Sequence, residues 1–125
     1  MIYVICGLIG AGKTTYAHRN YKYVTDFDEI GSKEKQIQLT KRLHKSGKTV
    51  AHITCYPTSH ERVFFDTNHA QYIWINTSPE QAEKNIKSRG RTRDIENIAR
   101  VVKQNTQYID KLRRSSIDFK IIDVF

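Results

Sequence analysis

A glycine-rich segment near the start of the chain has the residue types that hold a phosphate group. The segment Gly7-Leu8-Ile9-Gly10-Ala11-Gly12-Lys13-Thr14 matches the pattern G-x-x-x-x-G-K-[ST] at every fixed position. Glycines allow a tight turn whose N–H groups face a phosphate, and the N-terminus of a following helix adds partial positive charge. Lys13 can reach the β- and γ-phosphates, and the Thr14 hydroxyl can ligate Mg²⁺. The segment predicts a nucleoside triphosphate site formed by Gly7, Gly10, Ala11, Gly12, Lys13, Thr14 and Thr15.

Two carboxylates follow the second predicted strand, residues 21–25. Asp26 and Asp28 are two positions apart, so both would point to one side if the strand geometry continued. Phosphoryl transfer needs a group that orients the attacking hydroxyl or takes its proton, and Asp28 is the candidate for that role. Asp26 is the candidate for the outer shell of the metal. The alternative is that both residues only terminate a turn, as aspartate often does.

The third predicted strand, residues 49–55, is followed by polar residues but by no acidic residue directly at its end. Many nucleotide hydrolases place a metal-binding carboxylate there, so a motor-type ATPase is less favoured. Thr54 can hydrogen-bond a phosphate or a water molecule. Arg62 can clamp a phosphate of the acceptor, although a solvated position on a helix face explains it equally well.

Three arginines at alternate positions follow the predicted helix that begins at Ser78-Pro79. Arg89, Arg91 and Arg93 surround Gly90, as expected for a short lid. Guanidinium groups suit the charge that spreads over a transferring phosphoryl group, and a lid excludes water as a competing acceptor. The alternative is an exposed basic turn.

Composition limits the classes of protein that the chain can represent. Its 125 residues suit one domain, and 21 Lys and Arg against 13 Asp and Glu give a formal net charge of +8. That charge favours a polyanionic partner such as nucleic acid, unless it is only solvated surface. Cys6 and Cys55 lack metal-type spacing and fit reduced thiols. No apolar run has the length of a membrane span, so we expect a cytoplasmic protein without a membrane partner.

Predicted strands and helices alternate along the chain, which indicates an α/β protein with a parallel sheet covered on both faces. One helix is predicted over 33–45 and is stopped by Gly47. Another is predicted after Asp94, and the last strand is predicted over 119–125. The strand ends then converge on the phosphate loop.

This order of features resembles the small P-loop kinases, most closely the kinase domain of 5′-polynucleotide kinases and their phage relatives. The loop from Gly7 to Thr14 matches that family fully. Residues 24–28 resemble the strand that delivers its general-base aspartate, residues 49–62 its acceptor side, and residues 89–93 its lid. The missing acidic residue after the third strand departs from that pattern. Shikimate- and gluconate-type kinases share an Asp-x-Asp after the second strand.

The resemblance implies a single P-loop kinase domain over residues 1–125, three-layered, with a five-stranded parallel sheet in the order 2-3-1-4-5. It also implies ATP and Mg²⁺ as cofactors and transfer of the γ-phosphate to a hydroxyl of a nucleotide or nucleic acid, first of all a 5′-hydroxyl end. Three alternatives remain: a kinase of a hydroxymethyl base in DNA, a small-metabolite kinase, and a nucleotide-binding switch without transfer.

Overall fold

The computed structural model describes residues 1–89 and 97–123. Five parallel strands form one sheet in the order β2-β3-β1-β4-β5, which confirms the predicted fold class and strand order. The strands are β1 (Ile2–Gly7), β2 (Tyr23–Asp26), β3 (Val50–Ile53), β4 (Gln71–Asn76) and β5 (Phe119–Asp123).

Helices connect the strands and cover the sheet. The described helices are α1 (Lys13–Asn20), α2 (Phe27–Ile30), α3 (Lys33–Lys45), α4 (Ser59–Thr67), α5 (Pro79–Arg89) and α6 (Ile98–Arg114). Helix α3 has the predicted bounds because the Ser32 side chain caps its N-terminus. Gly47 follows its end with a φ of +79°. In the described part of the chain, no helix is both long and apolar enough to cross a membrane.

The core lies around β1, at the centre of the sheet. Ile5 pairs with Ile53 of β3 on one side and with Ile73 of β4 on the other. All three side chains are buried, as expected where helices cover both faces of a parallel sheet. This central strand leads directly into the glycine-rich loop, so the loop starts from the buried centre of the sheet.

The segment after β2 differs from the prediction. The strand ends at Asp26, and the short helix α2 begins at Phe27. The expectation that strand alternation carries Asp26 and Asp28 to the same side was therefore wrong in its reasoning. The Asp26 carboxylate accepts a hydrogen bond from the backbone N–H of Asp28 at 3.1 Å, and this cap turns the chain into the helix. Asp94 and residues 124–125 lie outside the described residues.

Gly10 is in the left-handed region, with a φ of +87°, and packs closely against α5. An added Cβ would lie 2.6 Å from the carbonyl oxygen of Ala82 and 2.8 Å from Cγ1 of Ile86. We expect Gly10→Ala to lower the free energy of unfolding by about 3 kcal/mol or more, since it combines backbone strain with a clash against backbone. Urea denaturation measures the loss.

Gly47→Ala is the matched control for that substitution. Gly47 has a similar φ of +79°, but no described atom lies within 4 Å of the added Cβ. Only the left-handed strain of ~1 kcal/mol is expected there. Equal losses of stability in the two variants would show that the close packing of Gly10 against α5 does not contribute to the free energy of unfolding.

Candidate active site

Lys13 lies within the glycine-rich loop and is mostly buried. Its ammonium donates hydrogen bonds to the carbonyl oxygens of Gly7 at 3.0 Å and Leu8 at 2.7 Å. Its Nζ is also 3.6 Å from Sγ of Cys55, which follows β3. Gly12, with a φ of +93°, precedes the first residue of α1. The loop therefore combines a positive charge with a helix N-terminus, the arrangement that binds phosphate.

Thr14 and Asp26 bring two oxygen donors together beside the loop. The Thr14 hydroxyl donates a hydrogen bond to the Asp26 carboxylate at 3.0 Å, while the other carboxylate oxygen caps α2. Asp26 is buried. A hydroxyl and a carboxylate next to a phosphate site are the donor chemistry that suits Mg²⁺. One carboxylate oxygen of Asp26 therefore caps a helix, while the other faces Thr14, and the metal role of Asp26 stays a prediction.

A cavity of about 480 Å³ opens beside the loop, at the ends of β2 and β3. The predicted residues Asp26, Asp28, Thr54 and Arg89 line it together with most of the loop. Asp28 is exposed there. The cavity is also lined by residues that were not predicted as site residues: Lys33, Tyr56, Arg100, Val101, Gln104 and Tyr108. The spacing of 100, 104 and 108 along one predicted helix is a signal that could have found three of them.

A second cavity, of about 370 Å³, lies on the other side of Gly12. It is formed between α1 and α5 by Thr15, Tyr16, Arg19, Asn85, Ser88 and Arg89 with Gly12. Gly12, Thr15 and Arg89 line both cavities. Two hollows therefore meet at the phosphate loop.

Lys33 reaches the first cavity from the start of α3 and is held by a buried carboxylate. Its ammonium lies 3.3 Å from a carboxylate oxygen of Glu61 and donates to Gln36 Oε1 at 3.0 Å. The same oxygen of Glu61 is 2.6 Å from Nε2 of His52, and both side chains are fully buried. On the far side of the imidazole, Nδ1 lies 2.7 Å from the Thr40 hydroxyl. A continuous polar network thus runs from the core to the cavity.

The charges of this network follow from its surroundings. Burial lowers the pKa of His52, against the opposing effect of the Glu61 carboxylate, so the imidazole is neutral near pH 7 and donates through Nε2. Burial alone would raise the pKa of Glu61. The hydrogen bond from His52, the Lys33 charge and the backbone N–H of Thr58 outweigh it and lower the pKa to about 2. Glu61 is therefore a carboxylate that fixes Lys33.

The remaining predicted site residues differ in where they lie relative to the first cavity, and two of them fall outside the described residues. Arg62 is not among the cavity residues: on α4 its guanidinium pairs with Asp66 at 3.4 Å, one helical turn away. Thr54 lines the cavity, and its hydroxyl is 3.4 Å from Glu61. Arg89 ends α5 at the junction of the two cavities. Arg91 and Arg93 lie outside the described residues.

The Glu61–His52 pair makes stability depend on pH. The unfolded chain takes up a proton on His52 below about its ordinary pKa of 6.5 and on Glu61 below 4.5, before the folded chain does. The free energy of unfolding should fall as pH decreases from 7 towards 3, and Glu61 accounts for up to ~3 kcal/mol of that fall below pH 4.5. We expect Glu61→Gln to lose ~1–3 kcal/mol at pH 7 and to flatten the acid part of the profile.

Denaturation of wild type and Glu61→Gln at pH 7, 5 and 3.5 measures this effect. Glu34→Gln, which alters an exposed carboxylate on α3, is the control and should follow the wild-type profile. If Glu61→Gln matched wild type at every pH, Glu61 would not be the charged anchor of the network.

Comparisons with known proteins place the fold. No family model and no curated protein sequence matches the chain. Solved structures of deoxyadenosine kinase from M. mycoides are similar to it at 15–17% sequence identity. The form with dATP aligns over 98% of this chain and 91% of that chain with a TM-score of 0.59. The form with dCTP aligns over 98% and 90% with a TM-score of 0.53. The chain therefore has the fold of the P-loop kinases.

Proposed function

We propose that the chain is an ATP- and Mg²⁺-dependent phosphotransferase that moves the γ-phosphate to a hydroxyl of a nucleotide or nucleic acid. The observation that carries this proposal is the meeting of two cavities at one phosphate loop. A switch that only binds and hydrolyses a nucleotide needs one of them. A transferase needs one for the donor and one for the acceptor, with the transferred group between them. Such a reaction uses cytoplasmic ATP, and the cytoplasm is the compartment we propose.

The donor would extend from the loop into the cavity between α1 and α5. Its phosphates would lie against the loop N–H groups and Lys13, and its base and ribose beside Tyr16 and Arg19. Mg²⁺ bound near Thr14 and Asp26 would neutralise charge on the β- and γ-phosphates. Arg89 lies where the two cavities meet and would contact the transferring group. The same role for Arg91 and Arg93 stays a prediction from the sequence.

Asp28 would orient the acceptor hydroxyl and take its proton. Its backbone N–H is fixed by Asp26, so the start of α2 is tied to the residue that contacts Thr14. Asp28 is an exposed residue that lines the acceptor cavity. An oriented carboxylate next to the attacking hydroxyl contributes by general base catalysis.

The acceptor cavity has aromatic and cationic walls, which suit a nucleoside unit that carries phosphate. Phe27, Tyr56 and Tyr108 offer rings, while Lys33 and Arg100 offer positive charge. Burial and the neighbouring Cys55 raise the pKa of the Tyr108 phenol to about 12, so that group remains a hydrogen-bond donor. Together with the net charge of +8, these walls favour a 5′-hydroxyl at the end of a nucleic acid.

A free deoxynucleoside is the second candidate acceptor. It is supported by the similarity in fold to deoxyadenosine kinase, whose structures contain dATP, dCTP or the products dCMP and dCDP. A hydroxymethyl base in DNA is a further alternative, which requires the base to leave the stack or to be single-stranded. A small-metabolite kinase would use the same loop and would pair the carboxylate of a sugar-acid acceptor with Lys33 or Arg100. Salt dependence separates these cases, because only a polyanionic acceptor releases many counterions on binding.

Asp28→Asn should abolish most transfer while nucleotide binding stays intact. We expect transfer from ATP to a 5′-hydroxyl oligonucleotide or to deoxyadenosine to fall by about 10²–10⁴-fold, since the amide cannot take the proton. The affinity for ATP, measured by calorimetry, should change less than about twofold. Glu29→Gln is the control, because Glu29 is an exposed neighbour that pairs with His18. Full transfer by Asp28→Asn would refute the assigned role.

Lys33→Ala should weaken acceptor binding and spare donor binding. The KM for an oligonucleotide acceptor should rise about tenfold, and the logarithmic salt slope of its affinity should shrink by about 1, as expected for one lost phosphate contact. Lys35→Ala, on an exposed position of the same helix, is the control. An unchanged KM and salt slope in Lys33→Ala would show that Lys33 does not contact the acceptor.

A further inference from the structure

The carbonyl oxygens of the glycine-rich loop are bound one after another by side chains. Those of Gly7 and Leu8 accept from the Lys13 ammonium inside the loop. The next three are bound by side chains from outside it. Asn105 Nδ2 donates to Ile9 O at 3.1 Å, Asn85 Nδ2 donates to Gly10 O at 2.9 Å, and the Thr77 hydroxyl donates to Ala11 O at 3.3 Å.

This anchoring determines where the loop N–H groups point. A peptide unit is planar and trans, so a carbonyl and the N–H of the next residue point in opposite directions. Holding Ile9 O on Asn105 therefore directs the N–H of Gly10, and holding Ala11 O on Thr77 directs the N–H of Gly12. Gly10 and Gly12 both line the cavity beside Lys13. The N–H groups of Gly10 and Gly12 are thus oriented by Asn105 and Thr77, which line neither cavity.

Asn105 differs from the other two anchors because it binds both polar groups of one residue. Its Oδ1 accepts from the N–H of Ile9 at 2.8 Å while its Nδ2 donates to the carbonyl of the same residue. Only 3% of Asn105 is exposed, and Val101 is the other buried residue of this helix. A buried asparagine amide placed this way fixes the position and the rotation of Ile9.

The helix that carries Asn105 also forms the acceptor cavity. Val101 and Tyr108, four residues before and three after Asn105 on α6, line that cavity. The Tyr108 phenol interacts with Cys55, whose sulfur lies 3.6 Å from Nζ of Lys13. One face of α6 therefore touches the phosphate loop at Ile9 and reaches the surroundings of Lys13.

We propose that Asn105 is a positioning residue that sets the phosphate-binding geometry of the loop, and that α6 through it holds the donor and acceptor sites in register. This inference rests on the proposed nucleotide binding by the same loop. It assigns a role to a residue that lines neither cavity. It requires that disturbing the amide of Asn105 weakens triphosphate binding more than it weakens the fold.

Titration of ATP with Mg²⁺ into wild type, Asn105→Ala and Asn105→Asp, without an acceptor, tests the proposal. We expect both variants to bind about tenfold more weakly, because the N–H groups that face the phosphate lose their fixed direction. Inorganic triphosphate should be weakened by the same factor as ATP, since the loop contacts only phosphates. Gln107→Ala, an exposed polar residue of α6, is the matched control and should bind as wild type does. Affinities within twofold of wild type in both Asn105 variants would overturn the proposal.

The Asn105→Asp variant provides a readout that a loss of packing would not give. Its ionised carboxylate can accept from Ile9 N–H but opposes Ile9 O, whereas the protonated form can make both hydrogen bonds of the native amide. Burial raises the pKa of such a carboxyl. The ATP affinity of Asn105→Asp, relative to wild type at the same pH, should recover between pH 8 and 5. The ratio cancels titration of ATP itself, and Asn105→Ala should show no recovery. An Asn105→Asp ratio that does not change with pH would contradict the proposal.

Asn85→Ala keeps the inference testable if the Asn105 variants fail to fold. Asn85 is only partly buried, and its removal frees Gly10 O without emptying the core. Thermal unfolding should stay close to wild type while the affinities for ATP and for inorganic triphosphate fall several-fold by the same factor, since Asn85 also lines the second cavity and only the triphosphate isolates the effect on the loop. Unchanged affinity in folded Asn85→Ala would count against anchoring. Wild type that binds no ATP would instead refute the proposed function, so the two failures are distinguishable.

Discussion

The phosphate loop can direct its N–H groups towards a ligand only if its carbonyl oxygens are hydrogen-bonded elsewhere. Side chains from several elements of the fold provide those hydrogen bonds. Lys13 binds the first two carbonyls from inside, while Asn105, Asn85 and Thr77 bind the next three. The central strand β1 brings the chain to this point within a buried sheet. An unbonded buried carbonyl would cost about 1–3 kcal/mol, so the anchored arrangement is preferred before any nucleotide binds.

A second constraint is the charge on Lys33 beside the core. The chain lacks an acidic residue directly after β3, but the carboxylate of Glu61 comes to that place from α4 and lies against Thr54. Its capping box with Thr58 fixes the first turn of α4. The neutral imidazole of His52 binds the same carboxylate from the core. Tertiary structure thus brings a buried carboxylate next to the end of β3, where it pairs with Lys33 and His52.

Local patterns predicted the alternation of strands and helices, and tertiary contacts explain what those patterns missed. The bounds of α3 followed from the cap at Ser32 and the stop at Gly47, and the sheet order followed from the kinase resemblance. The contact between Lys33 and Glu61 joins residues 28 positions apart, and the one between Asn105 and Ile9 spans 96. No periodicity carries such information. Asp28 lines the cavity from the first turn of α2, whereas the prediction had assumed that the strand continues through this residue.

Transfer of the γ-phosphate is the most direct test of the central claim that the two cavities hold a donor and an acceptor. The measurement incubates the chain with γ-labelled ATP and Mg²⁺ and with separate acceptors: 5′-hydroxyl DNA and RNA, hydroxymethyl-base DNA, deoxynucleosides, nucleoside monophosphates and sugar acids. The account predicts label on a nucleic acid or nucleoside, lost when the Lys13 side chain is removed. Label on no acceptor, together with slow release of phosphate, would contradict it and leave a nucleotide-binding switch.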